Sequence, residues 1–262
     1  MHTKVVAVTQ PLIRTEDNTR FLDPEEFIVY CARVSNPSNQ LNTETASGLL
    51  KYCIKHEHWS IFEQASMTVE IQTSRDISAQ ILRHRTFTFQ EFSQRYSVVT
   101  ELESFDIRKQ AEKNRQSSEE LLDIDQEQVD KVIEHLYNGM TLYKELLSKG
   151  AARESARKIL PLCTQTTLYM TGTIRSWIHY LKLRSKSDTQ LEHRDIANSI
   201  KDSFKQFFPL IHAVVFETPD TLAPSPRKHT LLSDNPTPQP PSEEEMAQKR
   251  KEFLEKNNIV VI

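Results

Sequence analysis

Glycine is nearly missing from this chain. Only Gly48, Gly139, Gly150 and Gly172 occur in 262 residues. Neither G-x-G-x-x-G nor a P-loop can be assembled from them, which excludes the two commonest nucleotide folds, whose glycines let backbone N–H groups approach phosphate. A nucleotide bound here is held by arginines and hydroxyls instead. Cysteine is as sparse. Cys31, Cys53 and Cys163 are odd in number and far apart, fitting neither a disulfide framework nor a zinc ligand set. A reducing, cytoplasmic setting is the expectation. No apolar run is long enough to span a bilayer, and the N-terminus lacks the apolar core of a signal peptide, so no membrane is expected as a partner. An excess of one charge is also absent: 33 Lys and Arg face 36 Asp and Glu, for a net charge of −3. That balance argues against a dedicated nucleic-acid binder.

What the chain does contain is concentrated. Arg83-His84-Arg85-Thr86-Phe87-Thr88-Phe89-Gln90-Glu91-Phe92-Ser93-Gln94-Arg95-Tyr96 packs arginines, a histidine, a carboxylate and hydroxyls into one run. Guanidinium forks suit phosphate and carboxylate oxygens, and Phe87, Phe89 and Phe92 offer flat apolar surface for a ring system. The run has no Gly or Pro, so its shape is expected to be set by what its side chains bind. A solvated basic segment is the plainer reading, and the concentration of functional groups outweighs it.

Periodicity orders the rest. Val5–Thr9 reads as a strand. Asp23-Pro24-Glu25-Glu26 opens a helix with an N-cap and Pro at its first position, and a second helix spans 43–56. His56-Glu57-His58 with Glu63 nearby resembles a metal set, but a catalytic metal needs three protein ligands, and none is expected. Met67, Val69 and Ile71 alternate as a half-buried strand, and Ser74 caps a helix to about Leu82. Tyr96–Val99 reads as a strand and 101–123 as an exposed loop. The strongest helical signal runs from Asp125 to Ser148, with Val129, Val132, Ile133, Leu136, Met140, Tyr143 and Leu147 on one stripe, beside which His135 is read as a surface residue. A short helix before Pro161, a strand over Thr166–Thr173, a helix carrying Arg175, His179 and Lys182 on one face, and a last amphipathic helix through Phe207 complete the reading.

These motifs resemble the signature of the flavin-dependent thymidylate synthases: Arg-His-Arg, seven residues, Ser93, then Arg95-Tyr96. Thr88 stands where Ser is usual, Gln90 where Asn is usual, and Thr173 where many relatives use Asn. The resemblance extends upstream to His58, Ser60, Phe62 and Glu63. Downstream it takes in Ala156-Arg157, Leu160-Pro161, Arg175-Ser176, Leu183-Arg184 and Gln190-Leu191-Glu192, covering roughly 32–200. It implies an α+β fold, an antiparallel sheet packed by long helices, assembled as a homotetramer with sites between subunits. It implies reductive methylation of dUMP to dTMP, with methylenetetrahydrofolate as carbon donor and NADPH-reduced FAD as hydride source. It assigns catalytic roles to His58, Ser93 and Arg184. It places FAD against Ser35, Ser60, Glu63, Arg83, His84, Arg85, Gln90, Glu91, Thr173, Arg175 and His179. It places dUMP against Gln80, Glu91, Ser93, Gln94, Arg95, Arg157 and Arg184. The catalytic unit would be 1–218. Seven of twelve prolines lie between Pro219 and Pro241, so 219–262 is expected to be a linker with a short helical tail.

Two other classes remain open on the residues alone. A basic-aromatic RNA-binding module would use Arg83, Arg85, Arg95 and the phenylalanines. A pyrimidine methyltransferase with a cysteine nucleophile would use Cys163 and need no flavin.

Overall fold

The computed structural model describes residues 1–217; the expected linker and tail at 219–262 lie outside the described residues. The strands are β1 (His2–Val8), β2 (Ser66–Ser74), β3 (Thr88–Glu91), β4 (Arg108–Gln110), β5 (Ser118–Leu121) and β6 (Gln165–Thr173). The helices are α1 (Pro24–Ala32), α2 (Ala46–Lys55), α3 (Arg75–Ile81), α4 (Gln126–Ser148), α5 (Arg153–Ala156), α6 (Ile174–Arg184), α7 (Leu191–Phe207) and α8 (Pro209–Phe216). The result is the expected α+β architecture: an antiparallel sheet in the order β1-β2-β6-β3, packed by helices, with β4 and β5 as a separate ribbon.

One strand pair sets the geometry. β2 and β6 pair from Ser66↔Thr173 to Ser74↔Gln165, and each runs straight into a helix, α3 after Ser74 and α6 after Thr173. Antiparallel pairing therefore starts the two helices from opposite ends of the pair. Side chains alternate between faces of a strand, so Met67, Val69 and Ile71 of β2 and Leu168 and Met170 of β6 all enter the core. Trp177 of α6 is fully buried and donates its indole N–H to the Met67 carbonyl at 2.9 Å. Burying a side chain of this class stabilises by about 1.5–3 kcal/mol.

The helix starts follow local chemistry. Asp23 and Glu26 form a reciprocal capping box on α1, as do Asp125 and Gln128 on α4. Ser74 occupies the cap position of α3, but its hydroxyl donates to Asp76 at 2.5 Å instead of accepting a backbone N–H. The sequence gives no periodic signal for α8, which is apolar on nearly every side. Its first turn is held by buried Glu25, which accepts the N–H groups of Leu210 (3.1 Å) and Ile211 (2.6 Å).

Several expectations need correction. The first strand begins earlier, at His2, because its partner β2 extends that far. Tyr96–Val99 is no strand: Tyr96 and Ser97 both donate to the Ser93 carbonyl, at 3.0 and 2.9 Å, closing a turn. The 101–123 segment is not simply a loop. It holds the β4–β5 ribbon, buried Glu103, and a bridge between Leu102 and Thr164. The arginine-rich run forms a turn closed by the Phe87 N–H on the His84 carbonyl, then β3 along β6. Phe87 is no open platform either, because it is buried with its ring 4.8 Å from that of Trp177. His135 is exposed as expected.

Candidate active site

The helices that start from opposite ends of the β2–β6 pair end at a common point. Arg184, in the last turn of α6, donates from Nε to Nε2 of His84, just past α3, at 2.9 Å. The His84 ring stands edge-on to Tyr180, centroids 4.9 Å apart. Burial, then the charges of Arg184 and Arg83, lower the His84 pKa to about 4. His84 is therefore a neutral imidazole at ordinary pH. Its Nε2 is the acceptor, so its proton sits on Nδ1. The resemblance gives His84 to the flavin and Arg184 to the substrate; the fold joins them directly.

A second node forms around Glu91, at the end of β3. Its Oε1 takes Arg75 at 2.5 Å, the Ser78 hydroxyl at 2.6 Å and the Thr166 hydroxyl at 3.1 Å. Arg75 and Ser78 stand three residues apart on α3, hence on one face. Sequence reasoning missed both, although that spacing one helix before the Arg-His-Arg run was a usable signal. Beyond Glu91 the chain turns at Ser93. Gln94 is buried in that turn, while Arg95 is exposed and pairs with Glu154 at 3.2 Å. Gln80, on α3, is held between His193 (3.3 Å) and Gln190 (2.5 Å). Arg157 is half-buried in the turn after α5.

A third group lies at the start of α6. Arg175 pairs with Glu63 at 2.5 Å, and the His179 ring lies 4.7 Å from that of Trp59. The His179 pKa is lowered by burial, with Arg175 and Lys182 adding to the effect. Thr173 caps α6, accepting the Ser176 N–H at 3.3 Å, so its hydroxyl already has a structural task. His58 is exposed, its ring 5.8 Å from that of Tyr52. Ser35 lines an open cleft of about 480 Å³ with Arg33, Asn36, Thr45 and Gly48. Among the described residues no side-chain hydrogen bond joins Ser35, Ser60, Arg85, Gln90 or Arg157 to the other candidates.

Cys163 has the wrong environment for a nucleophile. It lines a pocket of about 310 Å³ with Asp76, Glu103 and Glu192. Burial raises its pKa to about 11, and Asp76 adds to the rise. A reactive thiolate needs positive surroundings. No three His, Cys, Asp or Glu residues gather as a metal set among the described residues, and no helix there is long and apolar enough to cross a membrane.

Comparison with known proteins identifies the family. The family model described as thymidylate synthase complementing protein matches residues 18–210. A protein named "Probable flavin-dependent thymidylate synthase" from Paramecium bursaria Chlorella virus 1 is 53% identical over 214 residues, 80% of this chain and 97% of that protein. A flavin-dependent thymidylate synthase from Synechocystis is 46% identical over 220 residues, 82% of this chain and 99% of that protein. Among solved structures, a UMP/dUMP methylase from Streptomyces cacaoi bound with 5-bromo-dUMP is similar. It has a TM-score of 0.68 and 25% identity, and the match covers 81% of this chain and 93% of that one. With residues 18–210 matched by the family model, the chain belongs to the flavin-dependent thymidylate synthase family.

Proposed function

We propose that this protein converts dUMP to dTMP by reductive methylation, with methylenetetrahydrofolate as carbon donor and NADPH-reduced FAD as hydride source. The observation that carries the reading is the Arg184–His84 hydrogen bond. It brings together two motifs a hundred residues apart, one assigned to the substrate and one to the flavin, as a reaction between those molecules requires.

The residues fit FAD. Arg83, Arg85 and Arg175 are exposed guanidiniums, and Ser35 and Ser60 are exposed hydroxyls. That donor set suits a diphosphate in a chain without a glycine phosphate loop. His84, Gln90, Glu63, Glu91, Thr173 and His179 complete the flavin contacts, and Gln80, Glu91, Ser93, Gln94, Arg95, Arg157 and Arg184 hold dUMP. Bound FAD supplies hydride once NADPH has reduced it, and the protein's share is placement.

C5 of uracil is a weak nucleophile, so the pyrimidine needs polarising and the acceptor needs near-attack geometry. Arg184 has its Nε committed to neutral His84, which aims the remaining N–H groups of the fork. Arg95 and Arg157 neutralise the nucleotide phosphate. Fixed charge of this kind acts on negative charge as it develops, without reorganisation. Glu91 has Oε1 saturated by three donors, which locks the carboxylate for recognition. Ser93 binds substrate and forms no covalent adduct, and exposed His58 serves the folate side of the flavin.

We take the enzyme to be a homotetramer with sites completed between subunits. Leu12, Val34, Leu162 and Tyr96 are 85%, 69%, 72% and 83% exposed in the single chain, apolar surface that such an assembly could cover. Cytoplasm is the compartment that keeps Cys31, Cys53 and Cys163 free, and the catalytic unit ends before Pro219. The experiment is to purify the protein, record its flavin spectrum with and without dUMP, and assay dTMP formation with all substrates. A yellow protein whose spectrum responds to dUMP and which forms dTMP supports the reading. A colourless protein inactive with added FAD rejects it. An active monomer in sedimentation rejects the tetramer.

A further inference from the structure

Behind Gln80 lies a file of polar groups, buried at its inner end and open to solvent at Gln190, to which the family motifs assign no role. His193 of α7 is completely buried, as is its neighbour Tyr180 of α6 at 2% exposure. The Tyr180 hydroxyl lies 3.1 Å from His193 Nε2, and His193 Nδ1 lies 3.3 Å from Gln80 Oε1. Gln80 Nε2 donates to Gln190 Oε1 at 2.5 Å, and Gln190 Nε2 donates to Glu192 Oε2 at 3.2 Å. Arg108, from β4, ends the file on Glu192 Oε1 at 2.5 Å.

The direction of this chain is determined. Ionised Glu192 is acceptor-only, so Gln190 presents its NH₂ to Glu192 and its carbonyl to Gln80. Gln80 must then give its NH₂ to Gln190 and its carbonyl to His193, which must donate from Nδ1. A neutral imidazole with its proton on Nδ1 accepts at Nε2, where the Tyr180 phenol donates. Burial keeps that phenol protonated and keeps His193 neutral, its pKa lowered to about 3.

We propose that His193 is a positioning residue that fixes the amide of Gln80, so that Gln80 meets bound dUMP as a hydrogen-bond donor through the second hydrogen of its Nε2. The inference rests on the reading of Gln80 as a dUMP contact. It explains why a histidine is tolerated in full burial on α7 and why Arg108, from an outlying ribbon, reaches into the site. Without His193 the Gln80 carbonyl loses its buried donor, and the amide is held only through exposed Gln190.

The test compares His193→Leu, His193→Asn, Tyr180→Phe and Gln80→Ala in the flavin-loaded enzyme. It measures dUMP Kd from the flavin spectrum, kcat at saturating dUMP, and flavin retention. His193→Leu is expected to weaken dUMP about tenfold, the scale of one lost hydrogen bond, with kcat and flavin retention close to wild type. His193→Asn keeps a donor at the Nδ1 position and is expected to restore most of the affinity. Tyr180→Phe releases the tautomer with little change of shape, and covers the case in which the leucine variant does not fold. It should weaken dUMP by a smaller factor. Unchanged dUMP affinity in both His193→Leu and Tyr180→Phe, beside a weakened Gln80→Ala, overturns the positioning role alone. Parallel loss of dUMP and flavin binding without rescue by asparagine also overturns it, since a merely structural role would act that way. Unchanged affinity in Gln80→Ala removes the substrate assignment of Gln80 and this inference with it.

Discussion

Gly172 is where the core and the arginine-rich run press hardest on one another. A Cβ built at this position falls 2.5 Å from Cε1 of Phe87 and closer still to Cδ1. Ordinary carbon contacts lie at about 3.5–4.0 Å, so in Gly172→Ala the ring must retreat by about 1 Å. It has nowhere to go, because Phe87 is 7% exposed and its ring is flanked by Trp177 at 4.8 Å and Tyr180 at 5.8 Å. Overpacking of this kind costs about 1–3 kcal/mol, and a chain of this size loses about 2–4 °C of melting temperature per kcal/mol. A fall of roughly 4–8 °C is expected for the middle of that range. Phe87 lies between Arg85 and β3, so its displacement also moves the candidate flavin and substrate groups, and weaker flavin retention should accompany the loss of stability. The assay is thermal unfolding by circular dichroism with flavin content measured on the same samples. Adding Phe87→Leu to Gly172→Ala shortens the ring and should recover part of the loss, giving a positive coupling in the double-mutant cycle. A wild-type melting temperature and flavin content for Gly172→Ala would refute the reasoning.

Three further outcomes are expected. Burial raises the Glu25 pKa to about 7 against the N–H groups of Ile211 and Leu210, which favour the charged form. The native state then binds the proton more tightly than the unfolded chain, and this group's contribution to stability falls as pH rises from about 4.5 to 7. Glu25→Gln should flatten that dependence in denaturant titrations at pH 5 and 8, and an unchanged slope contradicts the assignment. Cys163→Ser should leave dTMP formation near normal, because the thiol is held protonated with a pKa of about 11; loss of turnover with flavin binding intact would restore the cysteine mechanism. Arg83→Ala should weaken FAD about tenfold or more, the scale of a charge-assisted phosphate contact, measured by flavin retention; full retention removes Arg83 from the flavin site.

The sequence by itself determined most of the secondary structure and the family. Period and cap residues marked α1, α4, α6 and α7, because a buried stripe and an N-cap leave local signatures. The scarcity of glycine excluded phosphate loops before any coordinates. The Arg-His-Arg run and its companions pointed to one family through order and spacing. Where signals were weak the reading slipped. α8 lacks a polar face, the β4–β5 ribbon is too short and charged to alternate, and the Tyr96–Val99 apolar pattern closes as a turn on Ser93. Only the tertiary structure decided which motifs meet. No spacing reveals that Arg184 lands on His84, since that depends on α3 and α6 starting from opposite ends of one antiparallel pair. Nor does any local pattern reveal Arg75 and Ser78 on Glu91, or His193 behind Gln80. In the sequence His193 is one histidine in a charged stretch. Its hydrogen-bond partners come from two other segments, α3 and α6, and burial, a property of the whole fold, keeps it neutral.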